Sequence, residues 1–83
     1  MQEYELSPEL ASVVKEMISK VLGISFEEMF AVYQLEGENL TDRDLVEEIL
    51  EAGGAQAEGD AVFEDIVTIG IIAIAGPLGL MGE

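Results

Sequence analysis

Side chains able to do covalent chemistry are scarce in this chain of 83 residues. It contains no Cys and no His. Ser–His and Cys–His catalytic pairs, thiol nucleophiles, disulfides and an ordinary zinc site therefore have no residues to build from. The acidic set Asp42, Asp44, Glu47 and Glu48 is dense enough to draw a calcium ion. It lacks the D-x-D-x-D-G loop spacing, however, and reads as the solvated start of a helix. With no nucleophile, base or cofactor loop to assemble, the chain reads as a non-enzyme with no metal and no cofactor of its own. What it holds in quantity is backbone amide nitrogen. Ile66 to Gly82, IVTIGIIAIAGPLGLMG, carries no charge and only one side chain of the kind that peptide-modifying enzymes use, Thr68. Cyclodehydration, lanthionine formation and lactone or lactam stapling have almost nothing to act on there.

The elements that must position this segment are legible upstream. Ser7-Pro8-Glu9 gives an N-cap, a proline at the first helical position and an acid in the first turn. Leu10, Val13, Val14, Met17, Ile18, Val21 and Leu22 then recur at helical spacing as one apolar stripe, and Gly23 supplies a left-handed stop. Ser25-Phe26-Glu27-Glu28 is a capping box that opens a second helix over about 26–35, with Phe26, Met29, Phe30 and Tyr33 on one face. Thr41-Asp42-Arg43-Asp44 opens a third helix, whose apolar face is Leu45, Val46, Ile49 and Leu50. Gly53-Gly54 reads as its end. Residues 53–60, GGAQAEGD, then read as a flexible linker. Beyond them the β-branched run from Val62 to Ile74 favours extended backbone, with Gly70 and Gly76-Pro77 weakening any helix. The expected architecture is all-α: a three-helix recognition domain over 1–52, a linker over 53–60, and an extended, β-prone C-terminal peptide over 61–83.

Charge narrows the partners. Eighteen acidic residues against Lys15, Lys20 and Arg43 give a net charge of −15, which excludes binding to nucleic-acid phosphates and disfavours anionic membrane surfaces. The N-terminus MQEYELSPEL has neither the basic nor the apolar region of a secretory signal, so a cytoplasmic location is expected. The uncharged tail is short of the roughly 20 apolar residues of a spanning helix and is broken by glycines and a proline. No stable membrane span is expected.

Val67-Thr68-Ile69-Gly70-Ile71-Ile72-Ala73-Ile74-Ala75-Gly76 resembles the Val-, Ile- and Gly-rich core of the omphalotin-type borosins, peptides α-N-methylated on their backbone. Leu22 to Val32, LGISFEEMFAV, is similar to the helical recognition domain of split borosin precursors. The resemblance implies a ribosomal peptide precursor whose core is methylated by a separate backbone N-methyltransferase. That enzyme, and not this chain, would hold S-adenosylmethionine. The acceptors expected on this reading are the backbone nitrogens of Ile69, Ile71, Ile72, Ala73 and Ile74. An extended core of residues 66–75 would reach about 33 Å into such an enzyme. Met29, Phe30, Tyr33, Leu45 and Ile49 are the candidate enzyme-docking face, and the alternative for them is the core of the domain itself. Two further functions are compatible with the same residues: an acidic interaction module whose tail adds a strand to a partner's sheet, and the precursor of a membrane-active peptide.

Overall fold

A computed structural model describes residues 7–57 and 59–81. Among the described residues four helices follow one another: α1 (Pro8–Leu22), α2 (Phe26–Gln34), α3 (Asp42–Gln56) and α4 (Phe63–Ala75). The first three begin where their caps place them. The Ser7 hydroxyl accepts from the Leu10 N–H at 3.1 Å. Ser25 and Glu28 close a reciprocal capping box at 3.1 and 3.0 Å, and Thr41 and Asp44 do the same at 3.2 and 2.8 Å. Gly23 takes φ 75° and ends α1 in the left-handed region, where a Cβ would be strained.

The C-terminal third departs from the expectation. Gly53-Gly54 does not stop α3, which continues to Gln56, so the first four residues expected in the linker form its last turn. The segment expected to be extended is helical. Among the described residues there is no strand. Two physical terms override the β-propensity of the run. An isolated strand would leave both its edges unpaired, whereas a helix satisfies its own N–H and C=O groups. Packing supplies the rest: Val67, Ile71 and Ala75 recur every four residues and are wholly buried.

Gly76-Pro77 does not break the helical path either. Gly76 stays right-handed, with φ −56° and ψ −58°; lacking a Cβ, it escapes much of the clash that a proline imposes on the residue before it. The chain then closes in a Schellman motif. Gly79 adopts φ 77°, Leu80 N–H donates to Ala75 C=O and Gly79 N–H to Gly76 C=O, both at 3.0 Å. Leu78 and Leu80 fold back against the core.

The core draws on all four helices: Val14 and Ile18 from α1, Phe26, Met29 and Tyr33 from α2, Leu45, Val46 and Ile49 from α3, and Val67, Ile71 and Ala75 from α4. Its tightest seam lies between α3 and α4, which run antiparallel. A Cβ built on Gly53 would stand 1.9 Å from the Ile66 carbonyl oxygen, and one on Gly70 would stand 1.9 Å from the Ile49 carbonyl oxygen. Ile49-x-x-x-Gly53 on α3 thus meets Ile66-x-x-x-Gly70 on α4 with reciprocal backbone-to-backbone contact. Only a hydrogen in place of Cβ permits this approach, which brings the glycine Cα–H toward the carbonyl. Gly70, which weakens α4 as an isolated helix, is the residue that lets it dock.

Lys15 adds a lighter tie. Its ammonium sits 3.2 Å from Asp42 and 4.8 Å from the centroid of the Phe26 ring, linking α1, α3 and α2. Both charged side chains are more than a third exposed, so the ion pair contributes little. No helix among the described residues is long and apolar enough to cross a membrane.

The seam makes neighbouring glycines behave oppositely. Gly53→Ala and Gly70→Ala are each expected to cost about 3 kcal/mol, the upper range for overpacking, despite the better helix propensity of alanine. Nothing lies within 4 Å of a Cβ on Gly54, so Gly54→Ala should stabilise by up to about 1 kcal/mol. Denaturant unfolding of the three variants checks the opposite signs.

Candidate functional site

The residues expected to accept methyl groups all lie inside α4. Ile71 is wholly buried, Ile69, Ala73 and Ile74 are half-buried, and Ile72 is 43% exposed. Their amide hydrogens are interior donors of the helix, each committed to the carbonyl four residues back. In this fold none of the five nitrogens is presented as an extended acceptor. The expected enzyme-docking face is likewise mostly interior. Met29, Leu45 and Ile49 have no exposed surface and fill the centre of the molecule, because four short helices close around them. Phe30 is half-buried and stacks on Phe26, with ring centroids 5.9 Å apart. Tyr33 is nearly buried as a ring, but its hydroxyl reaches a surface groove.

The acidic set at the start of α3 is taken apart by local partners. Asp42 pairs with Lys15, Asp44 closes the Thr41 capping box, Glu47 accepts from Arg43 at 2.9 Å, and Glu48 accepts from the Tyr33 hydroxyl at 2.8 Å. Among the described residues no cluster of three or more acidic side chains is placed to hold a metal ion. Each carboxylate instead completes a cap, an ion pair or a hydrogen bond.

The groove has two adjoining halves that share Tyr33, Leu40 and Glu48. One, about 390 Å³, is walled by Ala73, Ile74, Pro77 and Leu78 of the C-terminal segment. The other, about 370 Å³, is rimmed by Glu38, Asp44, Glu47 and Glu51. The loop between α2 and α3 shapes the junction. Gly37 leaves room for Leu40, since a Cβ there would lie 3.2 Å from Leu40 Cδ1. Asn39 takes a left-handed φ of 63°, a conformation asparagine tolerates better than most residues. No basic side chain lines either half.

This groove brings together residues from α2, α3 and the C-terminal segment that lie far apart in the chain. Of its members, Tyr33, Ala73 and Ile74 belong to the site residues expected from the sequence, and Asp44, Glu47 and Glu48 to the acidic set weighed there as a metal site. The rest carry no local signal that would single them out.

Tyr33 marks the electrostatic character of the junction. Burial, the hydrogen bond to Glu48, and the negative charges of Glu48 and Asp44 hold its phenol well above the usual tyrosine range. The folded state therefore keeps this proton after the unfolded chain has released it. The resulting stability is fully present below about pH 10, the unfolded value, and is lost as the pH rises further. Tyr33→Phe should cost about 1–2 kcal/mol at neutral pH through the lost hydrogen bond. It should also flatten the alkaline fall in stability seen in the parent protein. Equal alkaline slopes in the two proteins would contradict this origin.

Comparison with protein-family models, curated proteins and solved structures gives no match to this chain.

Proposed function

We propose that this chain is an acidic helical interaction module, which acts by being bound by another protein. The observation that supports the reading is the groove: an apolar wall contributed by the C-terminal segment, set beside a carboxylate rim, on a molecule of net charge −15. The tail serves the module as a folded part of its surface. Donation of a strand from the tail would require α4 to unwind. A cytoplasmic location belongs to the same proposal.

The precursor reading stands second, favoured by one property of α4. Val62, at its N-cap position, makes no side-chain capping bond, and the helix is rich in β-branched residues with glycine in its interior. Packing therefore holds α4, with little help from intrinsic propensity. A partner that displaced it from α3 would free a chain inclined to extend. A separate S-adenosylmethionine-dependent backbone N-methyltransferase acting on Ile69, Ile71, Ile72, Ala73 and Ile74 would then find the extended substrate that the borosin resemblance implies. Each added methyl would delete a helical donor, as proline does, so a modified α4 could not re-form its ladder.

The two readings separate by mass. The interaction module predicts that the chain isolated from its native cell carries a stoichiometric protein partner and has its unmodified mass. The precursor reading predicts a series of added methyl masses localised to 69–74. Val62→Ser, which supplies the missing cap on an exposed position, should stabilise the fold by about 1 kcal/mol. On the precursor reading the same change should slow methylation in co-expression with the enzyme. An unmodified chain in the presence of an active methyltransferase would remove the precursor reading; a native chain with no protein partner would remove the module.

A further inference from the structure

The two halves of the groove make different demands on one occupant. Ile74 and Leu78 offer aliphatic surface, while Glu38, Glu48 and Glu51 offer negative charge alongside it. The hydrogen bond from Tyr33 fixes the Glu48 carboxylate at the junction, so one of the two carboxylates that line the apolar half, Glu48 beside Glu36, is held in place. The closest cation in sequence, Arg43, is engaged with Glu47.

A second copy of this chain is a poor occupant, because it would bring another −15 charge to an acidic rim. Nucleic acid is disfavoured for the same reason. A small polycation would use the carboxylates and leave the apolar wall uncovered. A protein segment that carries a bulky aliphatic or aromatic residue next to Lys or Arg satisfies both halves.

Resting on the interaction-module reading, we infer that this groove docks a cationic amphipathic segment of the partner protein, its apolar side chain against Ile74 and Leu78 and its cationic side chains against Glu48, Glu38 and Glu51. The apolar contact fixes where the segment sits, and the carboxylates select its charge. Because the apolar wall comes from the residues that follow α3, the site exists only while α4 and the closing turn are packed on the domain.

The test uses the full-length chain and a fluorescently labelled peptide of about twelve residues, long enough for three helical turns. Its Leu residues are spaced four apart and its other positions are Lys or Arg. Binding is followed by fluorescence anisotropy at physiological salt. A charge-matched peptide with Ser in place of Leu, and spermine, serve as competitors. Glu38→Lys combined with Glu51→Lys changes two exposed positions and should weaken peptide binding about tenfold or more. Glu9→Lys combined with Glu27→Lys makes the same change in net charge outside the groove and should weaken it less than about threefold. Leu78→Ser, with its fold verified by circular dichroism, should weaken the Leu peptide and leave the Ser peptide unchanged.

Equal weakening by the two charge-reversal pairs, competition by spermine as strong as by the Leu peptide, or no binding of the Leu peptide would each overturn the inference. Failure of the broader reading shows differently. A native partner that stays bound to the groove variants leaves the module intact and removes only this site. A wild-type chain that carries no partner removes the module itself.

Discussion

The fold depends on an approach between two helix backbones that almost any side chain would prevent. At Gly53 and Gly70 the facing group is a main-chain carbonyl, of Ile66 and Ile49 respectively, standing where a Cβ would have to go. Carbonyls of a helix cannot swing aside as a side-chain end can, so the spacing of α3 and α4 is set by these two glycines. Once α4 is this close, Val67 and Ile71 are buried beside Ile49 and Val46 in one cluster. Full burial of an aliphatic side chain of this size is worth about 2–3 kcal/mol. The seam thus offsets the roughly 1 kcal/mol that an interior glycine costs a helix relative to alanine. The closing turn, with Leu78 and Leu80, extends the same packing, and the apolar wall of the groove is a consequence of it.

That dependence explains which parts of the architecture could be read from the residues. The starts of α1, α2 and α3 are encoded locally, in Ser7-Pro8, in Ser25 with Glu28 and in Thr41 with Asp44, and the caps form as their spacing predicts. Helix α4 is encoded by a partner surface. Its β-branched residues, its glycine and its uncapped start all argue against a helix when weighed one residue at a time. What favours a helix is the four-residue recurrence of Val67, Ile71 and Ala75, with Gly70 and Ile74 on the same side. Gly53-Gly54 misleads for a related reason. Two adjacent glycines resemble a stop, but Gly53 serves the contact with Ile66 and Gly54 simply lies on the open face.

The candidate surface is less legible in the residues. Met29, Leu45 and Ile49 have the composition of a docking face and the position of a core. Apolar residues at helical spacing look the same in either role until the number of helices that cover them is known. A domain of three helices would have left some of them uncovered, and the fourth covers them. The groove joins Tyr33, Glu48 and Ile74, which come from three elements, and no local pattern links them. The excess of negative charge was visible at once. Its division into a cap partner (Asp44), ion-pair partners (Asp42, Glu47), a hydrogen-bond acceptor (Glu48) and the exposed rim carboxylates Glu38 and Glu51 is a property of the fold.

The central claim is that residues 63–75 are a packed helix of the domain, held by the reciprocal glycine contact. Native-state hydrogen exchange, resolved by residue, tests it most directly. The amides of Val67 to Ala75 should exchange only through global unfolding, with the same free energy of opening as the amides of α3 around Ile49 and Gly53. Rapid exchange across 67–75 beside a protected α1, α2 and α3 would contradict it. The tail would then be a detached, extended peptide, and both the seam and the groove built on it would fall.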